Sequence, residues 1–118
     1  MAVIKQWCGP YILEVNGNVI KQWCGPNIYE ISGDKVKRWC GPYVYEISRN
    51  TIKEWCGPYL LEFDGKRIKR WCGPVIAELN GNIIKQWCGP NLVEICGSLS
   101  DDQLMAVLAI LFANNYLF

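Results

Sequence analysis

Tryptophan falls at Trp7, Trp23, Trp39, Trp55, Trp71 and Trp87 and nowhere else, sixteen residues apart each time. Each one opens the same four residues, Trp-Cys-Gly-Pro. A strict period without insertions means one small unit repeated, and such a unit hides its apolar face only by pairing with its neighbours. Around each tryptophan the unit keeps a lysine two residues before (Lys5, Lys21 and so on) and a glutamate four after the proline (Glu14, Glu30 and so on). Aliphatic residues recur at the Ile4, Ile12 and Val15 positions. Proline every sixteen residues excludes a helix through the repeats. The intervening runs are rich in Ile, Val, Tyr and Trp and about six residues long, the length of ordinary strands.

Two turn signals divide each unit. Gly9-Pro10 and its copies suit a type II′ turn, with glycine in the unusual conformation. Asn16-Gly17 and its counterparts Ser32-Gly33, Asp64-Gly65, Asn80-Gly81 and Cys96-Gly97 suit a type I′ hairpin turn, and Ser48-Arg49 departs from the pattern.

Two architectures fit a two-strand repeat. In a two-sheet β-solenoid capped by the C-terminal segment, six lysines and six glutamates would stack in columns of like charge, which is unfavourable. In an antiparallel meander paired around Gly9-Pro10, Lys5 falls opposite Glu14, Ile4 opposite Val15 and Trp7 opposite Ile12. The meander is therefore the preferred reading, with the solenoid as its alternative. Twelve strands in one layer leave two adhesive edges unless the sheet closes. With two-residue loops each repeat offsets the pairing by two, so six repeats accumulate a shear of twelve. A closed barrel of that shear has a strand tilt of roughly 37° and a radius of roughly 10 to 11 Å, too wide for strand side chains alone to fill.

The chain carries a segment that would fill it. Ser100 and Gln103 form a capping-box pair, and Asp101 and Asp102 sit where a helix dipole favours negative charge. Leu104–Phe112 is then apolar on every side, the pattern of a helix buried all round. Even extended to Phe118 it falls short of the ~20 residues that span a bilayer. The expected fold is thus mainly β: one domain over 1–118, with six hairpin repeats over 1–97 forming a twelve-stranded up-and-down barrel and a C-terminal helix over 98–118 on its axis. In plan this resembles the tubby-like and phospholipid-scramblase-type (LURP-one-related) barrels. That resemblance rests on strand count and helix placement, without a shared motif, and it implies lipid or phosphoinositide contact. Strict alternation places Ile4, Gln6, Cys8, Tyr11, Leu13 and Val15 on the inward face and Lys5, Trp7, Ile12 and Glu14 outside. A β-bulge near Cys8-Gly9 would change that assignment.

Composition narrows function by exclusion. Twelve basic against eleven acidic residues leave a net charge of +1, with no long-range pull on nucleic acid or an anionic membrane. Histidine, the commonest general base and metal ligand, is absent. The first residues show no basic-then-apolar leader, so the expected location is cytoplasmic and the seven cysteines are read as reduced thiols. Trp-Cys-Gly-Pro looks like the start of a thioredoxin motif, but the next residue (Tyr11, Asn27, Tyr43, Tyr59, Val75 or Asn91) is never the second cysteine that resolves a mixed disulfide. Cysteines sixteen apart do not make a structural zinc site, and the expected thiol is small, apolar and buried beside a turn. Six copies of one Lys/Glu pair form a ladder, where an active site needs a unique constellation. No enzyme activity, cofactor or metal is expected. The candidate ligand surface is the series Trp7, Trp23, Trp39, Trp55, Trp71 and Trp87, which either packs under lysine stems or presents aromatic faces to a protein, glycan or lipid partner. The readings are a non-catalytic scaffold or binding module, a lectin-like glycan binder, and a membrane-peripheral barrel.

Overall fold

A computed structural model of the chain describes residues 2–114. The hairpins alternate a longer and a shorter strand. The elements are β1 (Ala2–Gln6), β2 (Tyr11–Asn16), β3 (Val19–Gln22), β4 (Asn27–Ser32), β5 (Lys35–Arg38), β6 (Tyr43–Ser48), β7 (Thr51–Glu54), β8 (Tyr59–Phe63), β9 (Arg67–Arg70), β10 (Val75–Asn80), β11 (Ile83–Gln86), β12 (Asn91–Cys96) and α1 (Asp101–Ala113). Every strand pairs antiparallel with its sequence neighbours, and β12 pairs with β1 to close the barrel. Ile4 pairs with Leu13, and Leu13 with Gln22, two residues beyond the equivalent Ile20. That offset of two per repeat is the shear the sequence predicts. Closure leaves no sheet edge unpaired.

Helix α1 occupies the axis. Ser100 caps it with the reciprocal Gln103 bonds of a capping box, and Gln103 Nε2 also donates to the Gly17 carbonyl at 2.8 Å, which ties the helix start to one barrel mouth. Seven consecutive residues, Met105–Leu111, are buried, so the helix is enclosed on all sides. Around it the strands supply rings of core side chains, for example Ile4, Ile20, Val36, Ile52, Ile68 and Ile84, all fully buried. Among the described residues no helix is long and apolar enough to cross a membrane. The expected helix span of 98–118 begins at Asp101 in the structure, and positions 115–118 lie outside the described residues.

The expected pairing needs correction in one respect. Lysine and glutamate do face each other, but not around Gly-Pro: Lys21 stands opposite Glu14 across the short hairpin with Nζ–Oε1 at 3.6 Å, and Lys5 meets Glu94 across the closing β1–β12 seam at 3.8 Å. The cause is the connection at the other end. Lys5 pairs with Tyr11 while Ile4 pairs with Leu13, so Ile12 is an extra residue, a β-bulge. The bulge recurs at Ile28, Val44, Leu60, Ile76 and Leu92. It lies within the strand and not at Cys8-Gly9, and it puts Tyr11 outside, 45% exposed, on the face where it was not expected. It also turns Ile12 toward the core cluster.

Both turn types differ from expectation as well. In the short hairpin Asn16 and Val19 are the last pair, and Gly17 alone has positive φ (63°), so Gly17-Asn18 forms the pattern of a type II′ turn. In the long connection the Gly9 N–H donates to the Gln6 carbonyl at 3.0 Å, and Cys8, not Gly9, takes positive φ (54°), as the third residue of a type II turn does. Gly9 is needed for a different reason: a Cβ there would sit 3.0 Å from the Gln6 Cβ.

Two predictions follow from the irregular hairpins. Arg49 adopts φ 53° where its counterparts are glycine, a conformation that costs a residue with a Cβ about 1–2 kcal/mol. Arg49→Gly is expected to stabilise the fold by ~0.5–1 kcal/mol after the added freedom of the unfolded glycine is subtracted. A melting temperature lower than that of the parent would contradict it. In the fourth hairpin the Asp64 carboxylate accepts the Arg67 N–H at 2.7 Å and the Lys66 N–H at 3.0 Å, and these bonds hold its pKa below the ordinary carboxylate value. A carboxylate depressed by folding contributes stability above its unfolded pKa, and that contribution is lost as pH falls through the lower folded value. Thermal melts between about pH 5 and about pH 2, which bracket the ordinary carboxylate value, should therefore slope less for Asp64→Asn than for the parent. Parallel slopes would remove Asp64 from the acid response.

Candidate functional site

The six Trp-Cys-Gly-Pro connections all lie at the barrel mouth where α1 ends. They are knitted together by the backbone. The Trp23 N–H donates to the carbonyl of the bulged Ile12 in the preceding repeat at 3.2 Å, and the same bond recurs around the ring to Trp7, whose N–H donates to the Leu92 carbonyl at 3.0 Å. The bulge therefore does two things: it frees a carbonyl that anchors the next tryptophan, and it turns the tyrosine beside it outward.

The indoles form a collar on the outer wall, each 39–43% exposed. They are neither the covered packing nor the fully free platforms that the sequence leaves open. Three repeats carry tyrosine after the proline, and there the tyrosine ring rests on the next indole. The centroids are 4.5 Å apart for Tyr11–Trp23, 5.0 Å for Tyr43–Trp55 and 4.5 Å for Tyr59–Trp71, tilted by 28–39°. Asn27, Val75 and Asn91 stand at that position in the other three repeats, so Trp39, Trp87 and Trp7 have no such partner by sequence.

Cations border the rings. Lys5 Nζ lies 5.7 Å from the Tyr11 centroid, Lys35 Nζ 5.6 Å from Trp55, and the Arg67 guanidinium 5.3 Å from Trp87. These charges are largely spent within the wall: Lys5, Lys21, Lys37, Lys53 and Lys69 each lie 3.1–3.8 Å from a glutamate of the neighbouring strand. Such half-exposed pairs contribute only ~0.2–1 kcal/mol each, and their main effect here is to set register and neutralise the surface. Lys35 also contacts the Asp34 carboxylate at 3.1 Å, which raises its pKa.

The cysteines correct a further expectation. Cys8, Cys24, Cys40, Cys56, Cys72 and Cys88 are exposed and not buried, because positive φ at the turn tip directs them away from the core. Among the described residues no group of three metal-ligating side chains converges. Inside the mouth the walls are less regular: Tyr29 pairs in register with Arg38 and Tyr45 with Glu54. Burial pushes the Tyr45 phenol pKa up, with smaller contributions from Tyr29 and Glu54.

Sequence reasoning located the six tryptophans but missed the tyrosines as their partners. The available signal was the adjacent apolar pair Ile12-Leu13, which breaks alternation and marks the bulge. A scan against protein-family models, a search of curated proteins and a search of solved structures each return no match.

Proposed function

We propose that this protein is a non-catalytic binding module whose recognition surface is the aromatic collar at the Trp-Cys-Gly-Pro end of the barrel. The observation that carries this reading is the exposure of all six indoles near 40%, three of them extended by a stacked tyrosine. The core is already filled by α1 and the inward strand residues, so the exposed indoles are not needed to complete it, and contiguous exposed apolar surface marks an interaction site. The platforms are also preformed. Backbone bonds fix each turn, and in three repeats ring–ring contact fixes the side chains, so little ordering cost remains for binding there. The repetition of every charged pair and the lack of histidine support a binding role over catalysis. The free thiols fit a reducing compartment such as the cytoplasm.

The test is tryptophan fluorescence titration against three ligand classes that stack on aromatic rings: neutral oligosaccharides, a proline-rich peptide and single-stranded DNA. Saturable change with at least one class is expected. A flat response to all three would overturn the proposal.

A further inference from the structure

The six repeats of the collar are not equivalent: Gln6, Gln22, Arg38, Glu54, Arg70 and Gln86 stand before the tryptophans, and of the three tyrosine-bearing pairs only Tyr11–Trp23 is flanked by two glutamines. Between the first and second connections lies an open groove of about 290 Å³ lined by Gln6, Pro10, Tyr11, Ile12, Gln22 and Trp23. Its size is at the small end for ligand sites, enough for one ring-sized unit and too small for a drug-sized cofactor. Tyr11 and Trp23 supply a two-ring apolar wall. Gln6 and Gln22 supply two carboxamides, and among the described residues neither side chain makes a hydrogen bond. In the other two tyrosine-bearing repeats the corresponding positions are charged: Arg38 and Glu54 for Tyr43–Trp55, Glu54 and Arg70 for Tyr59–Trp71.

We infer that the Tyr11–Trp23 groove is a site for a neutral pyranose, met as one unit of an oligosaccharide. This rests on the collar being a binding surface and names its ligand. A pyranose has an apolar face of C–H groups and an edge of hydroxyls. The face matches the Tyr11–Trp23 wall. Each hydroxyl both donates and accepts, as each carboxamide does, so Gln6 and Gln22 can pair in both senses with neighbouring hydroxyls. A polyproline segment also stacks on aromatic rings but offers only carbonyl acceptors, which would leave both amide oxygens unused. A single nucleic-acid strand needs a cationic track, and here Lys5 and Lys21 are paired with Glu94 and Glu14. A net charge of +1, with Lys5 and Lys21 already paired, gives no pull toward an anionic bilayer.

The experiment uses the full chain and four neutral hexasaccharides built from β-linked glucose, mannose, xylose or N-acetylglucosamine, with decaproline and a ten-nucleotide thymidine strand alongside. Fluorescence and calorimetric titrations are read for the parent, Trp23→Ala, Trp23→Phe, Gln6→Ala with Gln22→Ala, and Asp64→Asn. At least one hexasaccharide should bind. Trp23→Ala and the double glutamine variant should each weaken it tenfold or more, Trp23→Phe should retain most of it, and Asp64→Asn, at the opposite mouth, should change it less than twofold. Trp23→Phe keeps the test decisive if the alanine variant fails to fold. Binding of decaproline or DNA alone overturns the pyranose assignment and leaves the module standing. Sugar binding that is indifferent to Trp23 and the glutamines likewise overturns the assignment. No binding by any probe removes both.

Discussion

Ending the chain after Ser98 is expected to abolish the monomeric barrel. The truncation removes α1 and with it the seven consecutive buried residues Met105–Leu111. Each fully buried Val, Leu, Ile or Met side chain contributes about 1.5–3 kcal/mol. Five such side chains, before counting the strand residues that would lose their partner, amount to roughly 7–15 kcal/mol, as large as the whole stability of an ordinary domain. Six nearly identical hairpins also have no intrinsic reason to stop at six. Shifting by a whole repeat conserves every Lys–Glu pair and every aliphatic ring, so register is weakly specified against that slip. With the axis empty, the sheet can add further copies edge to edge. Size-exclusion chromatography with light scattering should show polymers or a spread of oligomers, and thioflavin binding should rise. A truncated chain that elutes as a monomer with the parent's circular dichroism would show that the wall closes unaided.

The parts of this architecture that were legible in the sequence are those governed by period and by burial. Trp-Cys-Gly-Pro every sixteen residues specified the strand count, and opposite charges at Lys5 and Glu14 positions selected antiparallel over parallel stacking. The width of a twelve-stranded barrel then demanded a filler, which Leu104–Phe112 supplies. What stayed hidden were the local departures from alternation. A strand read at period two from Tyr11 to Asn16 places Tyr11 inside. One extra residue at Ile12 reverses that and creates the tyrosine half of the candidate site. Strict alternation leaves Gln6 on the inward face and Trp7 and Ile12 outside, and that mixture was itself the mark of the bulge. The turn assignments failed because glycine has two uses. Gly17 supplies positive φ, while Gly9 supplies room beside Gln6 and leaves the unusual dihedral to Cys8. Composition alone does not separate those two needs.

The second large effect separates core from platform within one molecule. Leu108, at the middle of α1, is fully buried. Leu108→Ala leaves a cavity enclosed on all sides by barrel wall, and such a site has little means of collapsing. The expected loss is ~3–4 kcal/mol, within the range for buried leucine. Trp55→Ala removes a larger side chain, and were the indoles structural packing it would cost ~3–5 kcal/mol, as much or more. Trp55 is 39% exposed, however, and on the outer wall it meets the Tyr43 ring and the Lys35 ammonium. An aromatic pair of this kind adds about 0.5–1.5 kcal/mol and an exposed cation–π contact about 0.5–1. Those two contacts sum to about 1–2.5 kcal/mol, and the expected loss for Trp55→Ala stays below that of Leu108→Ala. Urea unfolding of both variants at matched m-values measures the ratio. A Trp55→Ala loss equal to or above the Leu108→Ala loss would make the collar part of the barrel's own stability and take away the physical ground for treating it as a surface kept for a ligand.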